Sequence, residues 1–246
     1  ISVLKDYVEQ ALDILCDMVG NSVFDEAELE KEKDVIIEEI RMYQDTPDDL
    51  VMELNLNDAV KGNLGKPIIG TEESVKSFER SDILKYYDER YTKDNIVVVV
   101  SGNFKKESVK KIIDKYFGNL REEKVDRYKE IDFAFKGGES GHTKDIKQVN
   151  ICISYPGTSY LSENKLYYEI VSNIMGGSMS SRLFQKIREE MGLAYSVHTF
   201  NQSYKEGGVV TTYIGTNEKS YKKAINITKD EFLTLRKTGI TKLELE

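Results

Sequence analysis

The chain has 246 residues, 39% of them hydrophobic and 32% charged, with a formal net charge of -8. That much apolar material over such a length predicts one large or two smaller folded domains and argues against a disordered chain. The acidic balance argues against a broad nucleic-acid or anionic-membrane surface, leaving room only for a local basic cleft.

No apolar run approaches the ~20 residues of a membrane-spanning helix. The two cysteines, Cys16 and Cys152, lack CxxC spacing, which predicts free thiols in a reduced, cytoplasmic compartment. Ile1 already stands in sequence that reads as structured, and Glu246 ends a helical pattern. The chain is therefore expected to be an internal piece of a longer one.

In chain order, Leu4, Tyr7, Val8, Ala11, Leu15, Met18 and Val19 recur at helical spacing and predict a helix over about residues 4–19. Asn21–Asp25 breaks it. A second helix runs from Asp25 or Glu26 to about Tyr43, with Asp25 placed to cap it. A third covers Asp48 to about Val60, followed by the Gly-punctuated loop Asn63–Glu73 and a helix over Ser81–Tyr91. The β-branched run Ile96–Gly102 predicts a buried strand, and Lys106–Tyr116 a helix.

Residues 119–131 are charged and aperiodic and read as a linker, dividing the chain into parts 1–122 and 123–246. Beyond it come a strand over Gln148–Tyr155, a long helix over Ser162–Met175 and a shorter helix inside GGSMSSRLFQKIREEMGLAY. Two antiparallel strands, SVHTFNQSY and GGVVTTYIG, and a last helix from about Lys219 complete the pattern. The fold class is α+β with mixed, mostly antiparallel sheets and packed helices in each part. GGSMSS lacks the Lys-Ser/Thr of a phosphate-binding loop and reads as a tight helix entry.

Two local patterns invite more than one reading. ISVLKDYVEQALDI resembles IGTNEKSYKKAINI, from Ile214 to Ile227. It is either a trace of tandem duplication or a chance match between helices of similar composition. On the second helix, Leu29, Ile36, Ile40 and Tyr43 define an apolar stripe with Glu32 and Glu39 on or beside it, seven residues and two turns apart. Such a pair either reaches water at the stripe's edge or is held by a cation or partner, since a buried unpaired carboxylate is costly.

EKEKDVIIEEIRMYQDTPDD followed by LGKPIIGTEESV, and later GGSMSSRLFQKIREEMGLAYSV, resemble the inverted-motif zinc metallopeptidases of the pitrilysin and mitochondrial processing peptidase family. The bacterial processing-protease branch is the most similar. The resemblance covers essentially the whole chain in the family's order. It implies two homologous domains, both incomplete here, and a zinc-dependent endopeptidase acting on peptides or presequences in extended conformation. It implies zinc as cofactor, Glu39 as a zinc ligand and Glu32 as the group that supports that ligand. Arg188 and Tyr195 match the residues of the second domain that hold the substrate backbone and stabilise the tetrahedral intermediate. No nucleic acid or membrane span is implied, and a homodimer is allowed.

The sequence departs from the family in one respect. It has no HxxEH, and its only histidines, His142 and His198, fall in a loop and a strand. The histidine ligands and the general-base glutamate are expected upstream of Ile1, and the 246 residues alone are expected to be inactive. The alternative is a non-catalytic partner subunit of the same fold that binds substrate or organises a complex.

Overall fold

The computed structural model describes residues 1–122 and 133–245, so residues 123–131 of the expected linker lie outside the described residues. Two compact units divide the chain: Ile1–Glu38 with Thr71–Lys129, and Glu39–Gly70 with Glu130–Glu246. The helix α2 (Glu26–Asp45) carries the passage from one to the other. All strand pairing among the described residues is antiparallel, in an α+β arrangement. No helix among them is long and apolar enough to cross a membrane.

The first unit is helical. α1 (Val8–Gly20) packs on α6 (Lys106–Phe117), because Leu12 and Cys16 on one and Val109, Ile112, Ile113 and Tyr116 on the other repeat at one-turn spacing. The chain turns after α1 through Phe24, held at φ 47, a region side chains other than glycine rarely occupy. Arg80 secures that turn, donating from Nε to the Phe24 carbonyl (2.6 Å) and from Nη2 to the Val23 carbonyl (2.9 Å). Asp25 then caps α2 as expected, its Oδ1 accepting from the N–H groups of Ala27 (3.0 Å) and Glu28 (3.1 Å). The short helix α4 (Glu72–Ser77), set by a Thr71–Ser74 capping box, stands partly where a loop was expected. α5 (Arg80–Arg90) follows it.

Ile96–Gly102 is a correction to the sequence reading. The segment keeps a strand's alternation of exposure, with Val97 and Val99 80% and 85% exposed and Val100 against the α1–α6 core. It belongs to no ladder among the described residues. Composition reports a residue's fitness for a pleated surface, whereas a strand also needs a partner at hydrogen-bonding distance.

The second unit is built on a three-stranded sheet in the order β3-β5-β4, with β3 (Val149–Pro156), β4 (Ala194–Ser203) and β5 (Gly208–Thr216). The central β5 is buried along its whole length. One face carries Ile151, Ile153, Val197 and Ile214 onto Met175, Leu183, Ile187 and Ala224 from the helices α7 (Lys165–Ser172), Arg182–Glu190 and α8 (Tyr221–Thr238). The other face is polar and meets α3 (Pro47–Ala59), where Ser154 Oγ donates to Asn55 Oδ1 (2.9 Å). A two-residue pair of β1 (Val60–Lys61) and β2 (Ala134–Phe135) lies beside it. The helix expected to run to Met175 changes to a π-helical turn at Asn173–Gly177.

The final helix, α9 (Lys242–Leu245), is tied to this core by charge. Arg182 grips Glu244 in bidentate fashion, Nε to Oε1 at 2.5 Å and Nη2 to Oε2 at 2.8 Å. That grip, with two donations from Thr241, brings the Glu244 carboxyl down to about 2 against a smaller opposing push from burial. A folded-state value below the unfolded value means the unfolded chain binds the proton more readily, so the stabilisation is complete above the unfolded pKa of about 4.3 and drains away as pH falls towards 2. Glu244→Gln is expected to flatten the acid limb of a Tm-against-pH curve between those values. An acid limb of unchanged slope would show that the pair adds nothing.

Candidate functional site

On α2 the buried positions are Ile37 and Ile40, with Leu29, Lys33 and Ile36 half-buried beside them. Ile37 belongs to this stripe although the sequence reading passed over it, whereas Tyr43, counted in it, is exposed. At about 100° per residue, Glu32 and Glu39 fall about 20° apart on one flank of the stripe, and Glu38 points about 100° away from Glu39. Both carboxylates are exposed. Their neighbours on the helix are engaged: Glu28 with Lys31 and Glu30 with Lys33, each at 2.6 Å. Among the described residues neither Glu32 nor Glu39 has a hydrogen-bond or ion-pair partner.

Arg188 and Tyr195 stand at the two ends of one sharp connection. Arg188 lies in the π-helical stretch Phe184–Glu190, its guanidinium 4.8 Å from the centroid of the Phe184 ring and its Nε 3.9 Å from Glu189 Oε1. Gly192, at φ +59, ends the helix, its N–H donating to the Arg188 carbonyl (3.1 Å) while Leu193 N–H reaches the Ile187 carbonyl (2.8 Å). Only glycine takes that left-handed turn without a steric penalty. The chain then enters β4 through a bulge: Ala194 pairs with Thr216 and Ser196 with Gly215, so Tyr195 is the extra residue. Its side chain is 71% exposed rather than packed in the core. Among the described residues no hydrogen bond or ion pair joins Glu39 to Arg188 or Tyr195.

The two histidines lie in a loop (His142) and in β4 (His198). His142 is an exposed loop residue with Nε2 3.9 Å from Asp58 Oδ2. His198 sits in β4 against the rings of Tyr213 (4.8 Å) and Phe200 (5.8 Å), where burial lowers its pKa. Cys152 is a free thiol in β3, pushed up to about 12 by burial, and Cys16 is a free thiol shifted in the same direction. A catalytic or structural zinc takes at least three such protein ligands. Among the described residues no three His, Cys, Asp or Glu side chains are grouped to hold a metal. These residues do not by themselves fit zinc.

Residues 77–246 match the family described as Peptidase M16 inactive domain, and residues 1–72 match Insulinase (Peptidase family M16). The chain belongs to peptidase family M16. This M16 chain is 39% identical over 247 residues to the uncharacterized zinc protease YmxG of Bacillus subtilis, covering 99% of itself and 59% of that protein. It is also 39% identical over 216 residues to an uncharacterized zinc protease of Rickettsia bellii, covering 87% and 52%.

The M16 fold is matched in solved structures at lower identity. A peptidase M16 inactive domain from Pseudomonas fluorescens superposes with a TM-score of 0.86 at 18% identity, over 98% of this chain and 59% of that one. A protease from Helicobacter pylori gives 0.86 at 20%, over 98% and 60%. The chain thus spans little more than half the length of the curated relatives it matches. The family expected from the two long motifs is the family found.

Proposed function

We propose that this chain works within a zinc-dependent endopeptidase that cuts peptides or presequences bound in extended form. Glu39 serves as one zinc ligand and Glu32 orients it, while Arg188 holds the substrate backbone and Tyr195 donates to the developing oxyanion. The observation that carries this reading is the pair of unpartnered carboxylates on α2. On the same helix Glu28 and Glu30 engage Lys31 and Lys33, whereas Glu32 and Glu39 make no hydrogen bond or ion pair among the described residues and stand on one flank of a buried stripe. Membership of family M16 and relatives named zinc proteases support the same assignment.

The missing ligands come, on this proposal, from sequence beyond these 246 residues. Zinc held by two imidazoles and one carboxylate supplies an open position and a water of lowered pKa. What this chain contributes is the carboxylate, its helix-fixed direction and the two groups of the second unit. The 246-residue chain on its own is inactive under this reading.

Treating the full-length protein with a zinc chelator is expected to abolish cleavage of unstructured peptides, and adding zinc back is expected to restore it. A fully zinc-loaded protein that binds such peptides without cutting them would instead be a partner subunit, and the endopeptidase assignment would fall.

A further inference from the structure

Thr216 closes the central strand β5 and is wholly buried. A hydroxyl taken out of water is costly unless it is bonded, so its partner matters. Thr216 Oγ1 donates to the Leu193 carbonyl at 2.5 Å. That carbonyl stands inside the connection between Arg188 and Tyr195, two residues before the tyrosine. Valine has the same shape and buries without a polar cost, so this bond is what the threonine adds.

Leu193 is tied in both directions. Its N–H donates to the Ile187 carbonyl (2.8 Å), next to Arg188, while its own carbonyl is held from β5. Its side chain packs against the buried cluster that holds Leu183, Ile187 and Ile214. One residue therefore joins the end of the Arg188 helix to the core and to the central strand. Thr216 also meets β4 a second time. It pairs with Ala194, the last position before the bulge, and on its other side with Val149 of β3. Both residues that lead into Tyr195, Leu193 and Ala194, are thus held by this one threonine. A strand paired on both sides is among the last parts of a fold to open, so Thr216 is a fixed base for them.

We propose that Thr216 is a positioning residue for the groups of the second unit: through the Leu193 carbonyl it fixes the connection that sets Tyr195 relative to Arg188. The consequence for catalysis rests on the roles given to Arg188 and Tyr195 above. As the extra residue of the bulge, Tyr195 has no ladder partner of its own, since Ala194 and Ser196 take the pairs on either side. Its side chain makes no hydrogen bond among the described residues, so its place is inherited from its neighbours. Arg188 stands in the last turn of its helix, which is closed by the donations of Gly192 and Leu193 to the Arg188 and Ile187 carbonyls. Releasing the Leu193 carbonyl therefore loosens both groups at once.

Thr216→Val in the full-length protein keeps the shape and deletes the donor. It is expected to lower kcat/KM for peptide cleavage by about 10- to 100-fold through misplacement of the two groups. Thr216→Ser, which keeps the donor, is expected to recover most of that loss. Placed on an Arg188→Ala/Tyr195→Phe background, Thr216→Val is expected to cost nothing further, because neither group remains to be placed. An equal loss on both backgrounds, or wild-type kinetics in Thr216→Val where Arg188→Ala and Tyr195→Phe are impaired, would overturn the proposal. Amide hydrogen exchange reads the tie without reference to activity. In Thr216→Val it is expected to quicken over Gly192–Tyr195 and to stay unchanged in the rest of β5 and in α8. Exchange unchanged over Gly192–Tyr195, or quickened throughout the second unit, would overturn the tie whatever the kinetics. Should Arg188→Ala and Tyr195→Phe keep wild-type kinetics while exchange quickens only over Gly192–Tyr195, the tie stands and the roles given to those two groups fall. If Thr216→Val does not fold, Thr216→Ala removes the same donor and carries the same outcomes.

Discussion

Tyr195→Phe in the full-length protein is expected to lower kcat by about 100- to 1000-fold, the usual cost of losing one donor to a developing oxyanion. The ring stays and only the hydroxyl goes. Because the side chain is 71% exposed and free of hydrogen bonds among the described residues, little of the fold leans on it. Tm and zinc content should therefore match the wild type, and KM should change less than kcat. That combination separates a contact made in the transition state from one made in the ground state. Arg188 is expected to behave differently. A guanidinium that holds the substrate backbone acts before chemistry as well as during it, so Arg188→Ala should raise KM in addition to lowering kcat. Steady-state kinetics on a single peptide checks both, and a Tyr195→Phe enzyme with wild-type kcat would reduce Tyr195 to a surface residue at a strand start.

The second large effect is expected at Glu39. Glu39→Gln keeps the size and helical position of the side chain but replaces a charged oxygen ligand with a neutral amide. Zinc content measured by elemental analysis should drop well below stoichiometric, and peptide cleavage should drop with it. Glu32→Gln, seven residues earlier on the same flank, is expected to weaken zinc by the smaller factor of about 10- to 100-fold typical of groups that orient a ligand. Glu38→Gln, turned away from that flank, is expected to change neither. Stability offers a useful control. Glu39 is exposed and unpaired among the described residues, so its replacement should leave the Tm of the metal-free protein unchanged. Equal zinc in wild type and Glu39→Gln would remove the ligand assignment.

Much of the architecture was legible because burial follows period. The one-turn spacing of Val8, Leu12 and Cys16, and of Val109, Ile112 and Tyr116, marks the packed faces of α1 and α6 directly. The β-branched runs of β4 and β5 flank a Gly-Gly turn and pair antiparallel as their sequence suggests. What was illegible depends on partners that local sequence does not encode. Val97–Val100 has a strand's composition and alternation but joins no ladder among the described residues. α4 is six residues long with a single buried residue, too short for a period to emerge.

The candidate site divides along the same line. The common flank of Glu32 and Glu39 follows from seven-residue spacing alone, and the structure adds that both carboxylates are exposed. Tyr195 could not be placed this way. LAYSV reads as ordinary alternation, which would send Tyr195 and Val197 to the same face. The bulge rephases the strand, so Val197 is buried and Tyr195 is not.

The most direct test of the account is zinc K-edge absorption on the full-length protein and its Glu39→Gln variant. The account predicts a first shell of nitrogen and oxygen donors only, at about 2.0–2.2 Å. It also predicts that this shell loses an oxygen donor, or the zinc itself, in Glu39→Gln. A shell containing sulfur at about 2.3 Å, or one identical in the two proteins, would contradict it.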